Sequence, residues 1–176
     1  MEQKRVDNKK FYIIMALCMI LLVVFDRITK YLAIVYLMGN QGITLIGGAL
    51  KLLYLENRGA AFGMLQGMQP VFWILTAAFL VIAALFFRKV PKTKRYVPIS
   101  ACVAVLVSGA IGNFIDRIFN GYVVDFIYFE IIDFPIFNVA DIYVTLSVIA
   151  LVILLLFYYK EGDFSFLSRK KSVDHE

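Results

Sequence analysis

Residues 109–141 read GAIGNFIDRIFNGYVVDFIYFEIIDFPIFNVAD. The stretch begins inside one apolar run and ends in the first turn of another. Between them it holds Asn113, Asp116, Arg117, Asp125, Asn138 and Asp141. Ionisable and polar groups so close to long apolar segments are costly in a bilayer, and chains that keep them use them. The apolar runs themselves decide the fold class. Apolar residues make up 61 % of the 176, more than a soluble core of this size can hide. The runs that suit membrane-crossing helices cover about 11–37, 71–87, 96–115 and 139–159. The expected architecture is an all-α membrane protein with four transmembrane helices. One domain covers 1–160, and a charged, loosely ordered tail covers 161–176.

The segments between the runs are polar or glycine-rich. In 38–69, ITLI, Gly47-Gly48 and ALKLLYLE read as a β-hairpin, because Gly-Gly suits a tight two-residue turn. NRGAAFG, residues 57–63, follows; its small residues let backbones approach closely. Residues 116–138 form the other long loop, and its Val, Ile, Tyr and Phe content favours extended or interfacial structure. Pro135 breaks any helix there. In the third run Ser108 and Gly112 lie four apart, a spacing that favours close helix contact.

Charge gives the orientation. The N-terminal decapeptide MEQKRVDNKK, the loop RKVPKTKR (88–95) and residues 160–176 carry 13 of the 18 Lys and Arg residues. The two other loops hold only Lys51, Arg58 and Arg117. The positive-inside rule then puts both ends in the cytoplasm and every polar motif on the outer side. A basic head before an apolar run also suits a signal peptide, but no small-residue cleavage site follows and further spans come later. The net charge of +5 is confined to the ends and one loop, so no nucleic-acid partner is expected. Cys18 and Cys102 sit far apart in apolar runs and read as free thiols. The sole histidine is His175, next to the C-terminus, which argues against histidine catalysis and ordinary zinc sites. No cofactor or metal is expected.

Asp125 lies among apolar neighbours in GYVVDFIYF, and Asp141 heads the fourth run in FNVAD, where Asn138 can cap the helix. Each has a plain structural reading: Asp125 as a loop acid paired with Arg117, Asp141 as a first-turn acid facing the helix dipole. Together they suggest a carboxylate pair sharing a proton, one activating water and the other donating to a leaving group. Asp141, near a helix N-terminus, should ionise more easily, leaving Asp125 as the resting acid. Asn113, Asp116 and Arg117 fall at i, i+3 and i+4 and share a helix face. They either orient the pair or form a self-satisfied polar patch. Asp26 and Lys30, four apart, either anchor the end of the first helix or take part in the chemistry. Glu130 and Asp133 read as solvated rim acids. Other readings stay open at this stage. They are a transporter, a scaffold, a Ser108–Lys30 peptidase and an acid-cluster metal site.

DRITK (26–30), NRGAAFG (57–63), GAIGNFIDR (109–117), GYVVDF (121–126) and FNVAD (137–141), in this order on a four-span plan, resemble the lipoprotein signal peptidase (signal peptidase II) family. The resemblance covers nearly the whole chain. It implies an aspartic endopeptidase of the bacterial cytoplasmic (inner) membrane, with its active site at the extracytoplasmic face. The substrate would be a prolipoprotein carrying diacylglycerol on its cysteine, cut just before that cysteine. The catalytic pair falls on Asp125 and Asp141. Substrate-binding or supporting roles fall on Asn57, Asn113, Asp116, Arg117, Asn138, Asp26 and Lys30. A small extracytoplasmic β-cradle and an interfacial helix would fall in 40–69 and 116–138. Partners are then lipidated substrates and membrane lipid, with the oligomeric state open and a monomer sufficient.

Overall fold

The computed structural model of the protein describes residues 5–59 and 64–167. Residues 60–63, the second half of the NRGAAFG motif, and residues 168–176 of the tail lie outside the described residues. The described residues contain four helices long and apolar enough to cross a membrane, and a small sheet at one end of the bundle.

Helix α1 spans Asn8–Leu37, capped by the Asp7 carboxylate, which accepts from Lys10 N–H at 2.8 Å. At about 1.5 Å per residue it is roughly 45 Å long, so its ends reach past a hydrocarbon core of about 30 Å. Helix α2, Gln69–Lys89, starts with Pro70 in its first turn, where no backbone N–H is needed. Helix α3, Val97–Phe119, is entered through a 3-10 turn over Lys94–Tyr96. Helix α4, Val139–Ile153, ends in a π turn over Leu154–Tyr158. Much of the apolar surface faces outward, as with Leu21 at 67 % and Ile74 at 68 % exposure, which suits a lipid surround.

Helix α3 is the hub and packs against the other three helices. Its buried face carries Ser100, Ala104, Ser108, Gly109 and Gly112. A Cβ at Gly109 would stand 2.5 Å from the Ala140 carbonyl oxygen, and one at Gly112 would stand 2.5 Å from Asp26 Oδ2. Only glycine lets α4 and α1 come that close. The helix also runs further than 96–115. Asp116 and Arg117 lie in its last turn instead of opening the outer loop. The apolar pattern continues through IDRIF, and the chain leaves the helix only at Gly121, at φ +76°.

Strands β1 (Ile43–Ile46), β2 (Leu50–Asn57) and β3 (Val123–Phe129) form an antiparallel sheet in that order. The expected hairpin forms, turning at Gly48 with φ +69°. The 116–138 segment is more structured than a loop. It supplies β3 and a 3-10 turn over Glu130–Ile132, with Asp133 left-handed at φ +48°. Strand β3 explains the GYVVDFIYF alternation. Val124 and Phe126 pack with Ala33 and Leu37 at the end of α1, while Val123 and Asp125 face an open cleft.

At the opposite end, Phe11, Met15, Val90, Tyr96, Ile99, Ala104 and Tyr159 form a second core. The first part of the tail joins it, contrary to the expectation of loose order. Residues Glu161–Leu167 form a 3-10 helix whose Phe164 and Phe166 pack on this core. The Asp163 carboxylate accepts from Arg95 Nε at 2.8 Å and Nη2 at 2.5 Å. Aromatic burial and a two-pronged ion pair order a segment that composition alone presents as a polar end.

Candidate active site

The site lies where the end of α3, the start of α4 and the sheet meet. Val123 and Asp125 on β3 face Asn57 and Leu55 on β2, in the register Leu55–Asp125 and Asn57–Val123. Asn57 and Asp125 are thus diagonal neighbours on one sheet face. Asn57 Nδ2 donates to Asp125 Oδ2 at 2.8 Å, and Asn57 Oδ1 accepts from Gly59 N–H at 3.0 Å.

Asp141 is fixed by local helix chemistry. Asn138 caps α4, its Oδ1 accepting from Asp141 N–H at 3.2 Å, while its own N–H donates to Asp141 Oδ2 at 3.1 Å. This reciprocal capping box uses Asp in the third position. The same Asn138 donates through Nδ2 to Asp125 Oδ1 at 2.6 Å. Asn113 Nδ2 donates to Asp141 Oδ1 at 2.8 Å. Each oxygen of both carboxylates therefore accepts one bond from a neutral amide, and Asn138 bridges the two residues. Asp125 is 1 % exposed. Burial, then the nearby charge of Asp141, pushes its carboxyl up from 3.8 to about 6, against the bonds from Asn57 and Asn138.

The remaining predicted residues separate into two groups. Asp26, Lys30 and Asp116 are fully buried together between α1 and α3. Lys30 Nζ lies 3.0 Å from Asp26 Oδ2 and 2.9 Å from Asp116 Oδ2, and it hydrogen-bonds Asn113 Oδ1 at 2.8 Å. Asp26 Oδ1 accepts from Ala140 N–H at 3.0 Å in the first turn of α4. Asp26 and Lys30 thus sit between α1, α3 and the first turn of α4, in contact with Asn113 and the Ala140 N–H. Arg27 completes the cluster by pairing with Asp116. Nothing in DRITK distinguished Arg27 as a partner, because that contact needs α3 alongside.

Arg117 does not pair with Asp125. Its guanidinium donates to the Asn113 and Gly59 carbonyls at 3.4 and 3.2 Å and lies 4.3 Å from the centre of the Phe72 ring. Ser108 donates to Ala104 O within its own helix at 2.8 Å, and Lys30 is held by Asp26, Asp116 and Asn113, so no Ser–Lys pair forms. Glu130 is not a free rim acid, since Lys51 of β2 pairs with it. Asp133 accepts from the Tyr128 hydroxyl at 2.7 Å.

Asp125, Asp141, Asn57, Asn113 and Arg117 line one part of a cleft of about 850 Å³. Phe129, Ile132, Phe134, Phe137 and Leu146 form its apolar wall. A buried carboxylate and a half-buried one, with every oxygen bonded and opening on an apolar trough at one end of four membrane helices, is the arrangement to compare with known proteins. The sequence profile described as Signal peptidase (SPase) II matches residues 18–157.

The chain belongs to the signal peptidase II family.

It is 43 % identical over 130 residues to the lipoprotein signal peptidase of Streptococcus thermophilus (strain CNRZ 1066), covering 74 % of this chain and 84 % of that one. It is 38 % identical over 148 residues to that of Streptococcus pyogenes serotype M5 (strain Manfredo), covering 84 % and 94 %. A bacterial membrane enzyme solved by the in meso method at 2.3 Å resolution superposes with a TM-score of 0.73 at 31 % identity, over 98 % of this chain and 99 % of that one. Another, solved the same way at 1.9 Å, gives 0.74 at 34 % identity over 90 % and 99 %. The chain is thus a multi-pass membrane peptidase of the signal peptidase II family, with that family's four-helix fold.

Proposed function

We propose that this peptidase is an aspartic endopeptidase that removes signal peptides from diacylglyceryl-modified prolipoproteins, cutting before the lipidated cysteine. The observation that carries the reading is the pair Asp125 and Asp141, bridged by Asn138 at the cleft. Its relatives are named lipoprotein signal peptidases.

In this reading Asp125, the buried carboxyl with the raised pKa, is the member of the pair that acts as the acid. Asp141 takes a proton from water. The water oxygen bonds to the carbonyl carbon before the cysteine, Asp125 protonates the leaving nitrogen, and the carbon–nitrogen bond breaks. Arg117 and Asn57 lie beside the pair in the cleft, and in this reading Arg117 holds a substrate carbonyl. Asp26, Lys30, Asp116 and Asn138 support the pair from behind, and Asn113 supports Asp141 from the cleft wall. The apolar wall of Phe129, Ile132, Phe134, Phe137 and Leu146 suits acyl chains that arrive from the bilayer. The Lys and Arg distribution supports a place in the bacterial cytoplasmic membrane with the site at the outer face.

The test is cleavage of lipidated and unlipidated prolipoprotein by the purified protein in lipid, followed as a size shift. Asp125→Asn and Asp141→Asn should each lower turnover by about 10³-fold or more while the protein still inserts and folds. Near-normal turnover by either variant would end the two-aspartate mechanism. Equal cutting of the unlipidated precursor would end the lipid-recognition part.

A further inference from the structure

The chemistry proposed above leaves the ammonium of Lys30 without a direct task. It is fully buried and does not line the cleft. Its one well-directed hydrogen bond runs to Asn113 Oδ1 at 2.8 Å, while Asp26 and Asp116 hold it as ion partners.

An ammonium donates and cannot accept. The Asn113 atom facing it must be the carbonyl oxygen, which turns the amide nitrogen toward Asp141 Oδ1. The same Asn113 oxygen accepts from Asn138 Nδ2 at 3.1 Å, and Asn138 Nδ2 also donates to Asp125 Oδ1. At the other end, Asp141 N–H donates to Asn138 Oδ1 and fixes the second amide. Two side-chain amides, each able to turn over, thus lie between two groups whose polarity cannot reverse: the Lys30 ammonium and a backbone N–H.

We propose that Lys30 is a positioning residue that fixes the orientation of the Asn113 side-chain amide and so keeps hydrogen-bond donors turned toward Asp141 and Asp125. The proposal rests on the two-aspartate reading. A reversed Asn113 amide would set oxygen against the Asp141 carboxylate and nitrogen against the ammonium, replacing two attractive contacts by two repulsive ones. Charge balance alone does not account for the arrangement. Asp116 has Arg27 as a second cation, Asp26 has the Ala140 N–H, and the directed bond of Lys30 goes to the neutral amide.

Lys30→Met alone would leave Asp26 buried without its cation. The test therefore compares two double variants of equal charge and nearly equal volume. Asp26→Asn/Lys30→Met removes the donor facing Asn113, and Asp26→Asn/Lys30→Gln keeps a neutral one. Both are assayed in lipid on lipidated prolipoprotein beside the wild type and Asp125→Asn. The Met double variant should lose about tenfold or more in kcat, the worth of one hydrogen bond to a charged group. Its KM should stay within about twofold, because Lys30 does not touch the cleft. The Gln double variant should recover most of that kcat at the same melting temperature. Equal kcat in two equally folded double variants, or a loss confined to KM, would overturn the proposal.

A second readout needs no turnover. In asparagine-¹⁵N-labelled protein, the Asn113 amide signals should respond to Asp141→Asn in the wild-type background and lose that response in the Met double variant. No response in the wild-type background overturns the proposal even when neither double variant folds. A response that persists in the Met double variant overturns it too. Substantial turnover by Asp125→Asn would sink the two-aspartate reading, while the amide signals would still decide the role of Lys30.

Discussion

Asn138 does two jobs with one side chain. Its oxygen caps α4, and its nitrogen bridges to Asp125. The jobs can be separated, because serine caps about as well as asparagine but has no amide nitrogen. Asn138→Ser should keep α4 and lose only the bridge, lowering kcat about tenfold or more with a small loss of stability. Asn138→Ala should lose both and destabilise by about 1 kcal/mol more. Melting temperature and kcat measured together check this, and a fully active serine variant would remove Asn138 from the chemistry. The raised carboxyl of Asp125 gives a pH prediction. Folding keeps its proton between the ordinary 3.8 and about 6, so its contribution to stability declines as pH rises across that window. If Asp125 is the acid, kcat/KM of the free enzyme should fall as pH rises through about 6, with the pair titrating as a unit. A profile flat from 5 to 8 would contradict that assignment. At this scale the sequence was legible where chemistry is local. Asn138 and Asp141 stand three apart, so their cap could be read directly. Asp125 could be singled out by its apolar neighbours, but its bonds to Asn57 and Asn138 depend on strand pairing and on the docking of α4.

At the scale of elements, the closeness of α3 to α4 depends on Gly109. A Cβ there would meet the Ala140 carbonyl at 2.5 Å and Val144 Cγ2 at 2.8 Å. Gly109→Ala should therefore push α4 outward, cost about 1–3 kcal/mol and lower turnover by moving Asp141. Gly162→Ala, with open space around the new carbon, should leave the melting temperature unchanged and serves as the control. The 161–167 segment gives a second prediction. Asp163 is held down to about 2, chiefly by the hydrogen bonds from Arg95. The pairing is fully present above the ordinary 3.8 and is lost as pH falls through about 2. Asp163→Asn at neutral pH should speed hydrogen exchange in 161–167 while cleavage stays unchanged, since the segment sits at the far end of the bundle. The helices and the hairpin were legible because length, hydropathy and a Gly-Gly turn are local signals. Strand β3, the last turn of α3 and the docked 161–167 segment were not, because each is decided by what it packs against. Val124 and Phe126 become a strand face only with α1 beneath them, and Phe164 and Phe166 become core residues only beside Tyr96 and Tyr159.

For the whole molecule, the sheet and cleft occupy one end of the bundle, and the basic loop around Lys92–Arg95 occupies the other. The fold separates the two ends but does not say which faces the cytoplasm; that rests on charge. Thirteen of the 18 Lys and Arg residues fall in the N-terminal segment, the 88–95 loop and residues 160–176. Those near the cleft end are largely engaged. Lys30 and Arg27 pair with Asp116, Lys51 with Glu130, and Arg58 with Glu56. The positive-inside rule counts residues near span ends, so the basic end should face the cytoplasm and the cleft should open outward. A lipidated substrate would then reach the carboxylates sideways from the outer leaflet, with its acyl chains already in the bilayer. Single cysteines report this arrangement directly. With Cys18 and Cys102 replaced, Gln41→Cys lies beside β1 at the cleft end, and Thr93→Cys lies in the basic loop. Ser172→Cys samples the tail. A membrane-impermeant thiol reagent added to intact cells should label position 41 and leave 93 and 172 unlabelled until the membrane is opened. Labelling of 93 in intact cells would invert the protein, put the carboxylate pair on the cytoplasmic side and remove the proposed route for a substrate processed at the outer face.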